Sequence, residues 1–389
     1  MSLASQLVAH RRHHGLSQEQ LAELSGLSPR TIGEIETGRT RRPHPRTLTA
    51  LAEVLELGPT EKASLFSVAR KGRPFSVVAD PRSAAVPRLP GPAAGFSGRD
   101  CELSEIAATS RSGGVVLLHG MPGVGKTTTA LRAGHMLAER FPDGQVFVNL
   151  ADSVSVPGGV LAALGVGGGE DVEPQRSSWY RAALRHKRLL LLVDGITSED
   201  QVAGWLPRRP GCLTVLTSRH ALLGLDDVVR IRLTALPPPA ALDLLASIAG
   251  EARISAERSA AAEVVDLCGE LPLALRIAGN RLTSRPRWPI TYLADRLRGD
   301  PLATLVAGDL GIGAVFESAH RQLGRALQEA FRHFAGAGAL QDSSALDGLV
   351  TAGLLERDDT GHHMHRLLVT YAQRLSRPEG NSGDTGDIR

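Results

Sequence analysis

The sequence has few of the residues and segments that mark secreted or membrane-bound proteins. Only three cysteines occur in 389 residues, none with C-x-x-C spacing, which argues against a disulfide framework and a cysteine zinc site. No apolar run approaches the roughly 20 residues that span a bilayer, and the N-terminus is amphipathic rather than a signal peptide. Aromatic residues make up only 4%, and no internal repeat is present. These absences predict a cytoplasmic globular protein with no membrane partner.

Changes in composition along the chain indicate several domains, as expected for this length. Residues 1–75 contain 11 Lys and Arg against 7 Asp and Glu, so the positive excess is N-terminal, where it favours contact with nucleic acid. Five prolines in residues 71–95 predict an extended linker. Beyond it, short apolar runs alternate with helical patterns, which predicts a parallel sheet flanked by helices. The predicted strands are Val115–His119, Val146–Leu150, Leu189–Val193, Leu213–Thr217 and Val228–Leu233.

Two short helices joined by a tight turn are predicted near the N-terminus. Ser17-Gln18-Glu19-Gln20 has the pattern of a capping box, and Ser28 followed by Pro29 predicts the start of a second helix. This is the shape of a helix-turn-helix, whose second helix can lie in the major groove of DNA. A basic run, Arg39 to Arg42, follows where the phosphate backbone would pass. A helical bundle that binds protein is the alternative.

From Leu16 to Leu57 the sequence resembles the phage-repressor type of helix-turn-helix, the XRE family. The resemblance rests on GLSQEQLAELSGLSPRTIGEIETGR and the later LTALAEVLEL. It implies double-stranded DNA as a partner, read by the helix that begins at Ser28, although Gly33 departs from the usual polar residue. The residues expected to contact DNA are Gln18, Ser28, Pro29, Arg30, Thr31, Glu34, Arg39, Arg41 and Arg42.

A phosphate-binding loop is predicted directly after the first strand. Gly120-Met121-Pro122-Gly123-Val124-Gly125-Lys126-Thr127 lets backbone N–H groups converge on phosphate ahead of a helix N-terminus. Lys126 is expected to reach the terminal phosphates and Thr127 to ligate Mg²⁺. The motif therefore predicts binding of a nucleoside di- or triphosphate. The expected contacts in and after the loop are Gly120, Gly123, Val124, Gly125, Lys126, Thr127 and Thr128.

A carboxylate follows the apolar strand at residues 188–193. Asp194 occupies the position that holds Mg²⁺ in such ATPases, although it could instead cap the next turn. Many ATPases with this architecture have a second acid at the next position, where this chain has Gly195. Unless Glu199, Asp200 or a distant acid takes its place, we expect at most slow hydrolysis of ATP.

From about Pro87 to Gln373 the chain resembles the NB-ARC class of STAND switch ATPases. Besides the loop, the resemblance rests on residues 96–100, FPDGQVFVNL, GCLTVLTSR, residues 269–274 and Met364-His365. It implies ATP or ADP with Mg²⁺, and a catalytic set of Lys126, Asp194 and Arg219. The roles it implies are Phe96 and Arg99 near adenine, Arg219 on the γ-phosphate, Pro272 against base or ribose, and His365 of a winged-helix domain on the β-phosphate of ADP.

Each of these roles has an ordinary alternative. Arg219 could form a surface ion pair, Pro272 could simply start a helix, and Phe96 could belong to the core. Arg366 also departs from the class, since Met364-His365 is usually followed by Asp, and this predicts a weaker closed state. Two histidine clusters, one at residues 10–14 and one at residues 362–365, lack the Cys or acidic partners of a metal site.

The predicted fold is therefore multidomain: all-α, then α/β with a parallel sheet, then helical, then winged-helix. The predicted boundaries are 1–70 helix-turn-helix, 71–95 linker, 96–234 nucleotide-binding, 235–305 helical, 306–377 winged-helix and 378–389 disordered tail.

The function expected from these domains is a nucleoid-associated transcriptional regulator switched by ADP and ATP. By resemblance to actinobacterial relatives it acts on secondary metabolism, forms homo-oligomers in the ATP state and answers an unknown signal or protein. Such relatives usually continue into a repeat domain that senses the signal, and we expect none here. An active ATPase and an ATP-driven oligomerising scaffold are the alternatives.

Overall fold

The computed structural model describes residues 3–25, 27–37, 45–55, 57, 88–93, 95–150, 155–165, 173–308, 310–338 and 340–376. The chain divides into two compact units, residues 1–78 and residues 79–389, each described by itself below. Most of the predicted linker and the whole predicted tail lie outside the described residues. Within the described part, no helix is long and apolar enough to cross a membrane.

The first unit contains the two predicted short helices. Ser17 Oγ accepts the N–H of Gln20 at 3.1 Å while Gln20 Oε1 accepts the N–H of Ser17 at 2.8 Å, so the capping box is formed. Ser28 Oγ accepts the N–H of Thr31 at 3.1 Å and begins the next helix. The described helices are α1 (Leu3–His13), α2 (Gln18–Ser25), α3 (Pro29–Glu36) and α4 (Pro45–Val54). Their shared core includes Leu7, Leu21, Ile32, Ile35, Leu51 and Leu55.

The second unit begins with a five-stranded sheet in the order β2-β3-β4-β1-β5, in which every pairing is parallel. Alternate strand residues face opposite sides, so Val116 and Leu118 join one buried cluster while Val115 and Leu117 join another. Burial on both faces explains why the three central strands read as nearly continuous apolar runs. The strands are β1 (Val115–His119), β2 (Gly144–Asn149), β3 (Leu189–Ile196), β4 (Cys212–Ser218) and β5 (Val228–Arg232).

Helices cover both faces of this sheet, which confirms the predicted α/β domain. The helix α6 follows β1 directly across the glycine-rich loop, as predicted. The helices are α5 (Asp100–Ser112), α6 (Lys126–Met136), α7 (Val156–Ala163) and α8 (Glu173–Leu184), with 3₁₀ turns at Ala138–Arg140 and Glu199–Gln201.

After β5 the chain is mainly helical. The next helices are α9 (Pro238–Ala249), α10 (Glu251–Ala256), α11 (Arg258–Leu267), α12 (Pro272–Ser284), α13 (Ile290–Gly299) and α14 (Pro301–Thr304). The final part contains the short strands β6 (Val306–Ala307) and β7 (Leu310–Gly311), then α15 (Ile312–His320), α16 (Arg325–Ala337), α17 (Ser343–Thr351) and α18 (Arg366–Ser376). Between α17 and α18 lies an antiparallel hairpin, β8 (Glu356–Asp358) and β9 (Gly361–His363).

Candidate nucleotide-binding site

The glycine-rich loop between β1 and α6 forms the centre of the site. Because the sheet is parallel, the carboxyl ends of β1, β3 and β4 lie at one edge and bring the loop, Asp194 and Arg219 together there. The loop is closely packed from behind: a Cβ on Gly120, whose φ is +142°, would lie 2.3 Å from the carbonyl oxygen of Leu233. Only glycine fits at this position, so the motif has a structural role besides the phosphate binding predicted for it.

Lys126, the first residue of α6, points back along the loop. Its Nζ donates to the carbonyl oxygens of Gly120 at 2.8 Å and Met121 at 2.9 Å. Burial and the nearby Arg219 lower the pKa of Lys126 to about 7, while Asp194 opposes this. The ammonium is thus held at the start of the loop, where an anion would be stabilised by it.

Thr127 and Asp194 form the oxygen pair expected for Mg²⁺. Thr127 Oγ1 donates to Asp194 Oδ1 at 2.6 Å, and Thr217 Oγ1 donates to the same oxygen at 2.5 Å. The next turn is capped by Ser198 with Gln201, so Asp194 is not needed as a cap. A hydroxyl beside a carboxylate supplies the hard oxygen ligands that Mg²⁺ prefers, and the residues present therefore fit this ion.

A cavity of about 260 Å³ lies on one side of the loop. Phe96, Arg99 and Pro272 all line it, together with loop residues from Gly123 to Thr128. The guanidinium of Arg132 lies 5.8 Å from the centre of the Phe96 ring. The sequence motifs that were assigned to base binding therefore converge on one cavity beside the phosphate loop.

Arg99 has a more specific position than the sequence indicated. It is buried, with 4% of its surface exposed, and Nη2 donates to the carbonyl oxygens of Val124 at 3.3 Å and Thr234 at 2.5 Å. Its Nη1 donates to Glu102 at 3.0 Å. The guanidinium thus connects the phosphate loop to the segment after β5, and Arg99 positions the loop while it lines the cavity.

A second cavity, of about 540 Å³, opens on the other side of Lys126 and Thr127. Asp194 and Gly195 line it, and Asp194 is the only carboxylate among the described lining residues. Of the two acids that might have replaced the one missing at Gly195, Glu199 accepts the N–H of Gly224 at 3.3 Å and Asp200 is exposed. Neither lines the cavity, so this arrangement provides no second acid to activate water.

Arg219, at the end of β4, lines the second cavity and a neighbouring one. It is half-buried, and desolvation lowers its pKa. Within the described part of the chain its guanidinium forms no ion pair and no hydrogen bond, so the alternative of a surface ion pair is not realised. An unpaired cation at the edge of a polar cavity is well placed for an anionic ligand.

The segment around α17 contacts this edge of the sheet closely. A Cβ on Gly353, whose φ is +67°, would lie 2.9 Å from the carbonyl oxygen of Arg219 and 3.3 Å from that of Gly120. Nearby, His220 Nδ1 lies 2.9 Å from the carbonyl oxygen of Thr351, and burial lowers the pKa of His220. The last part of the chain therefore docks on the start of the phosphate loop through Thr351 and Gly353, to which the sequence assigned no role.

His365 lies apart from the residues that line the cavities. Its Nε2 is 2.8 Å from the carbonyl oxygen of Gly269, and the N–H of Leu367 donates to its Nδ1 at 3.2 Å. Burial lowers the pKa of His365, which favours the neutral ring. With both ring nitrogens bonded within the protein, His365 holds the segment before Pro272, and its predicted contact with phosphate stays a prediction.

Arg366 has a partner that the sequence did not reveal. Its Nη1 lies 2.7 Å from Asp266 Oδ2 and donates to the carbonyl oxygen of the same residue at 2.5 Å. Asp266 belongs to α11, so this ion pair joins the helical part to the final part of the chain. The cation therefore forms a cross-connection of its own, while the weaker closed state expected from Arg366 stays a prediction.

In the first unit, the described DNA-contact candidates cluster at α2 and α3. Gln18 Nε2 donates to Glu36 Oε2 at 2.7 Å, and Arg11 donates to both oxygens of the same carboxylate at 2.6 and 2.9 Å. Burial raises the pKa of Glu36, but these donors outweigh burial and leave it below its ordinary value. Gln18 thus braces α3 in addition to its predicted role. Four other candidates lie at the N-cap of α3 or within it: Ser28, Pro29, Thr31 and Glu34. The described residues do not include the side chain of Arg30, nor Arg39, Arg41 and Arg42.

Comparison with known families agrees with this division. Residues 2–65 match the helix-turn-helix domain family, and residues 102–255 match the NB-ARC domain family. The chain therefore carries a helix-turn-helix domain joined to an NB-ARC domain, which confirms both predicted domain types.

Two curated relatives share most of this chain. It is 35% identical over 319 residues to the regulatory protein AfsR of Streptomyces griseus, which covers 74% of this chain and 33% of that protein. Against AfsR of Streptomyces coelicolor it is 34% identical over 340 residues, 78% of this chain and 34% of that protein. The chain thus spans about a third of the length of these regulatory proteins.

More distant similarities extend to plants and archaea. A probable disease resistance protein of Arabidopsis thaliana is 29% identical over 188 residues, which covers 44% of this chain and 19% of that protein. Among solved structures, a STAND protein with a tetratricopeptide repeat sensor from Pyrococcus horikoshii has 18% identity and a TM-score of 0.38, covering 74% of this chain and 44% of that chain. A Walker-type ATPase of Pyrococcus abyssi has 11% identity and a TM-score of 0.47, and the match covers 73% of this chain and 98% of that chain. At these TM-scores neither superposition bears on function.

Proposed function

We propose that this chain is a DNA-binding transcriptional regulator whose conformation is set by an adenine nucleotide bound with Mg²⁺. The observation that carries the nucleotide half of the proposal is the convergence of Lys126, the Thr127–Asp194 pair and the unpaired Arg219 at one edge of the sheet. The regulatory half rests on the attached helix-turn-helix domain and on the similarity to AfsR.

Each side chain then has a defined task in binding nucleotide. The base and ribose occupy the smaller cavity, between Phe96 and Pro272, and the phosphates follow the N-terminus of α6. Lys126 moves from the loop carbonyls to the phosphates, while Thr127 and Asp194 hold Mg²⁺. When bound there, Mg²⁺ would supply positive charge that offsets the charge of the terminal phosphates.

Hydrolysis has a minor place in this proposal. The larger cavity lacks a second carboxylate among its described lining residues, and Gly195 has no side chain to activate water. We therefore expect a slow ATPase at most, with Lys126, Asp194 and Arg219 as its catalytic residues. A steady-state turnover above about 1 s⁻¹ that disappears in Lys126→Ala would favour an ATP-consuming enzyme over a switch.

Nucleotide binding can control conformation because other parts of the second unit contact the loop. The N–H of Leu273 donates to the carbonyl oxygen of Gly123 at 3.1 Å, and Gly353 packs on Gly120. We assign residues 96–234, 235–305 and 306–377 to nucleotide-binding, helical and winged-helix domains, with ATP favouring an oligomer. The signal or protein partner that changes this balance is unknown.

On DNA, α3 of the first unit would lie in the major groove, as in XRE-type repressors. Pro29, Arg30, Thr31 and Glu34 then face the bases, while Gln18, Arg39, Arg41 and Arg42 contact phosphates and Ser28 fixes the helix start. This assigns the protein to the cytoplasm and the nucleoid, with double-stranded DNA as its partner.

The proposal is tested by selecting duplexes from a random-sequence DNA pool with the full chain, in the presence of Mg²⁺ and either ADP or an ATP analogue. Binding of the selected duplex is then compared with a scrambled duplex over a range of salt concentrations. Arg30→Ala should weaken the selected site specifically, whereas Arg41→Ala should weaken both duplexes and reduce the salt slope.

Failure to bind any duplex at low salt, in every nucleotide state, would contradict the regulatory proposal. A nucleotide-dependent change in mass without DNA affinity would instead support an oligomerising scaffold.

A further inference from the structure

The larger cavity beside the phosphate loop has two walls that belong to different parts of the chain. One wall is formed by the sheet edge and contains Lys126, Thr127, Asp194 and Arg219. The facing wall is formed by β7 and α15, and its described residues carry no charge. They are Leu310, Gly311, Ala314, Val315, Ser318 and Gln322.

The position of this cavity indicates which part of a nucleotide would enter it. Lys126 and Thr127 line both cavities, so a bound nucleotide passes from one to the other at these residues. The base requires the partly apolar cavity that contains Phe96. With the phosphates following the N-terminus of α6 away from the base, the phosphate furthest from the base would lie beside Lys126, Thr127 and Asp194, which line the larger cavity. ATP therefore reaches the facing wall more closely than ADP does.

Two polar side chains in that wall have no task within the protein. Ala314, Ser318 and Gln322 are spaced four residues apart, and α15 continues into a helical turn at Arg321, so the three lie on one face. The side chains of Ser318 and Gln322 form no hydrogen bond with other described residues, and both are exposed. Gln322 also lines the neighbouring cavity that contains Arg219.

We propose that Ser318 and Gln322 bind the third phosphate of ATP from the final part of the chain and so make this wall the element that distinguishes ATP from ADP. This inference rests on the proposed nucleotide site. A glutamine amide can donate to a phosphate oxygen opposite Arg219, and a serine hydroxyl can do the same. Because the wall is attached to α15, the presence of the third phosphate is transmitted directly to the part of the chain that docks at Gly353.

The test places either a negative or a positive charge at position 322, where the chain has a neutral glutamine. The full chain is prepared as Gln322→Glu and as Gln322→Lys, and dissociation constants are measured by calorimetry for Mg-ADP and for a non-hydrolysable Mg-ATP analogue. Repulsion in Gln322→Glu should weaken the ATP analogue relative to ADP by about tenfold, and attraction in Gln322→Lys should strengthen it relative to ADP. Ser318→Ala should weaken the ATP analogue relative to ADP by about two- to threefold, the loss of one hydrogen bond.

Matched controls are Gln373→Glu and Gln373→Lys, which make the same changes on an exposed face of α18 away from the cavities. These should leave the ratio of the two constants unchanged. If Gln322→Glu and Gln322→Lys also leave the ratio unchanged, or shift it in the same direction, the inference is wrong although nucleotide binding stands. If the unmodified chain binds neither nucleotide, the proposed function itself fails.

Discussion

The contact of Gly353 with the phosphate loop offers a direct measure of how firmly the final part of the chain is held. The Cβ of an alanine there would lie 2.9 Å from the carbonyl oxygen of Arg219 and 3.3 Å from that of Gly120. Both oxygens belong to the main chain at the ends of sheet strands, so neither can turn aside as a flexible side chain would. We therefore expect Gly353→Ala to move the segment that follows α17 away from the carboxyl ends of β1 and β4.

The expected magnitude has two parts. The φ of +67° at Gly353 costs an alanine roughly 1–2 kcal/mol. Gly338, at the end of α16, has a φ of +70°, but no described atom lies within 4 Å of its Cβ position. Gly338→Ala should therefore show the backbone cost alone. The additional cost in Gly353→Ala, from overpacking, should be about 1–3 kcal/mol.

The assay compares the two variants in urea unfolding and in hydrogen exchange. Only Gly353→Ala should speed exchange in the segments around Gly120 and His220, because only that variant loses the docking contact. It should also release bound ADP faster, since the docked segment contacts the loop. Equal losses of stability in the two variants, with equal exchange, would refute the argument that this contact holds the parts together.

Three further predictions concern other parts of the molecule. In a double-mutant cycle, the effects of Arg366→Asp and Asp266→Arg on the free energy of unfolding should couple by about 0.2–1 kcal/mol. The variant with both residues swapped should release ADP at the rate of the unmodified chain. Strictly additive effects would contradict a direct pair. Burial and nearby cations lower the pKa of His119 from its ordinary 6.5 to about 4. The unfolded chain therefore binds a proton here more readily than the folded chain, and the stability present above pH 6.5 is lost as the pH falls towards 4. His119→Gln should accordingly flatten the fall of the urea midpoint between pH 7 and 5. Gly33→Ala should raise the unfolding free energy of the first unit by about 0.5–1 kcal/mol, because the only near contact of its Cβ is Gln18 Oε1 at 3.7 Å.

Local patterns were sufficient to predict the sheet and the phosphate loop. The central strands β1, β3 and β4 are buried on both faces, so their apolar runs are nearly unbroken in the sequence, and the loop depends on neighbouring residues alone. The capping box at Ser17 and the N-cap at Ser28 were predictable for the same reason. The end of β3 could not be predicted in this way, because its register shifts between Val193 and Ile196 and the strand continues past Asp194.

The contacts between distant segments could not be read from the sequence. Asp266 and Arg366 are 100 positions apart, and only the docking of α11 against the start of α18 brings them together. In the same way, a motif placed Arg99 near the nucleotide but gave no indication that its guanidinium binds main-chain oxygens at Val124 and Thr234. Sequence motifs identified which residues gather at the site, whereas the direction of each donor depends on the tertiary fold.

The carbonyl oxygens of the phosphate loop show why these donors matter for a switch. Those of Gly120 and Met121 accept from Lys126, that of Gly123 accepts from the N–H of Leu273, and that of Val124 accepts from Arg99. With the carbonyls bonded to protein groups, the loop can present its N–H groups to phosphate. One of these donors, Leu273, belongs to the helical part of the chain, so any movement of that part changes the loop that binds phosphate. Linkage then requires the reverse: phosphate bound to the loop must bias the position of the helical part.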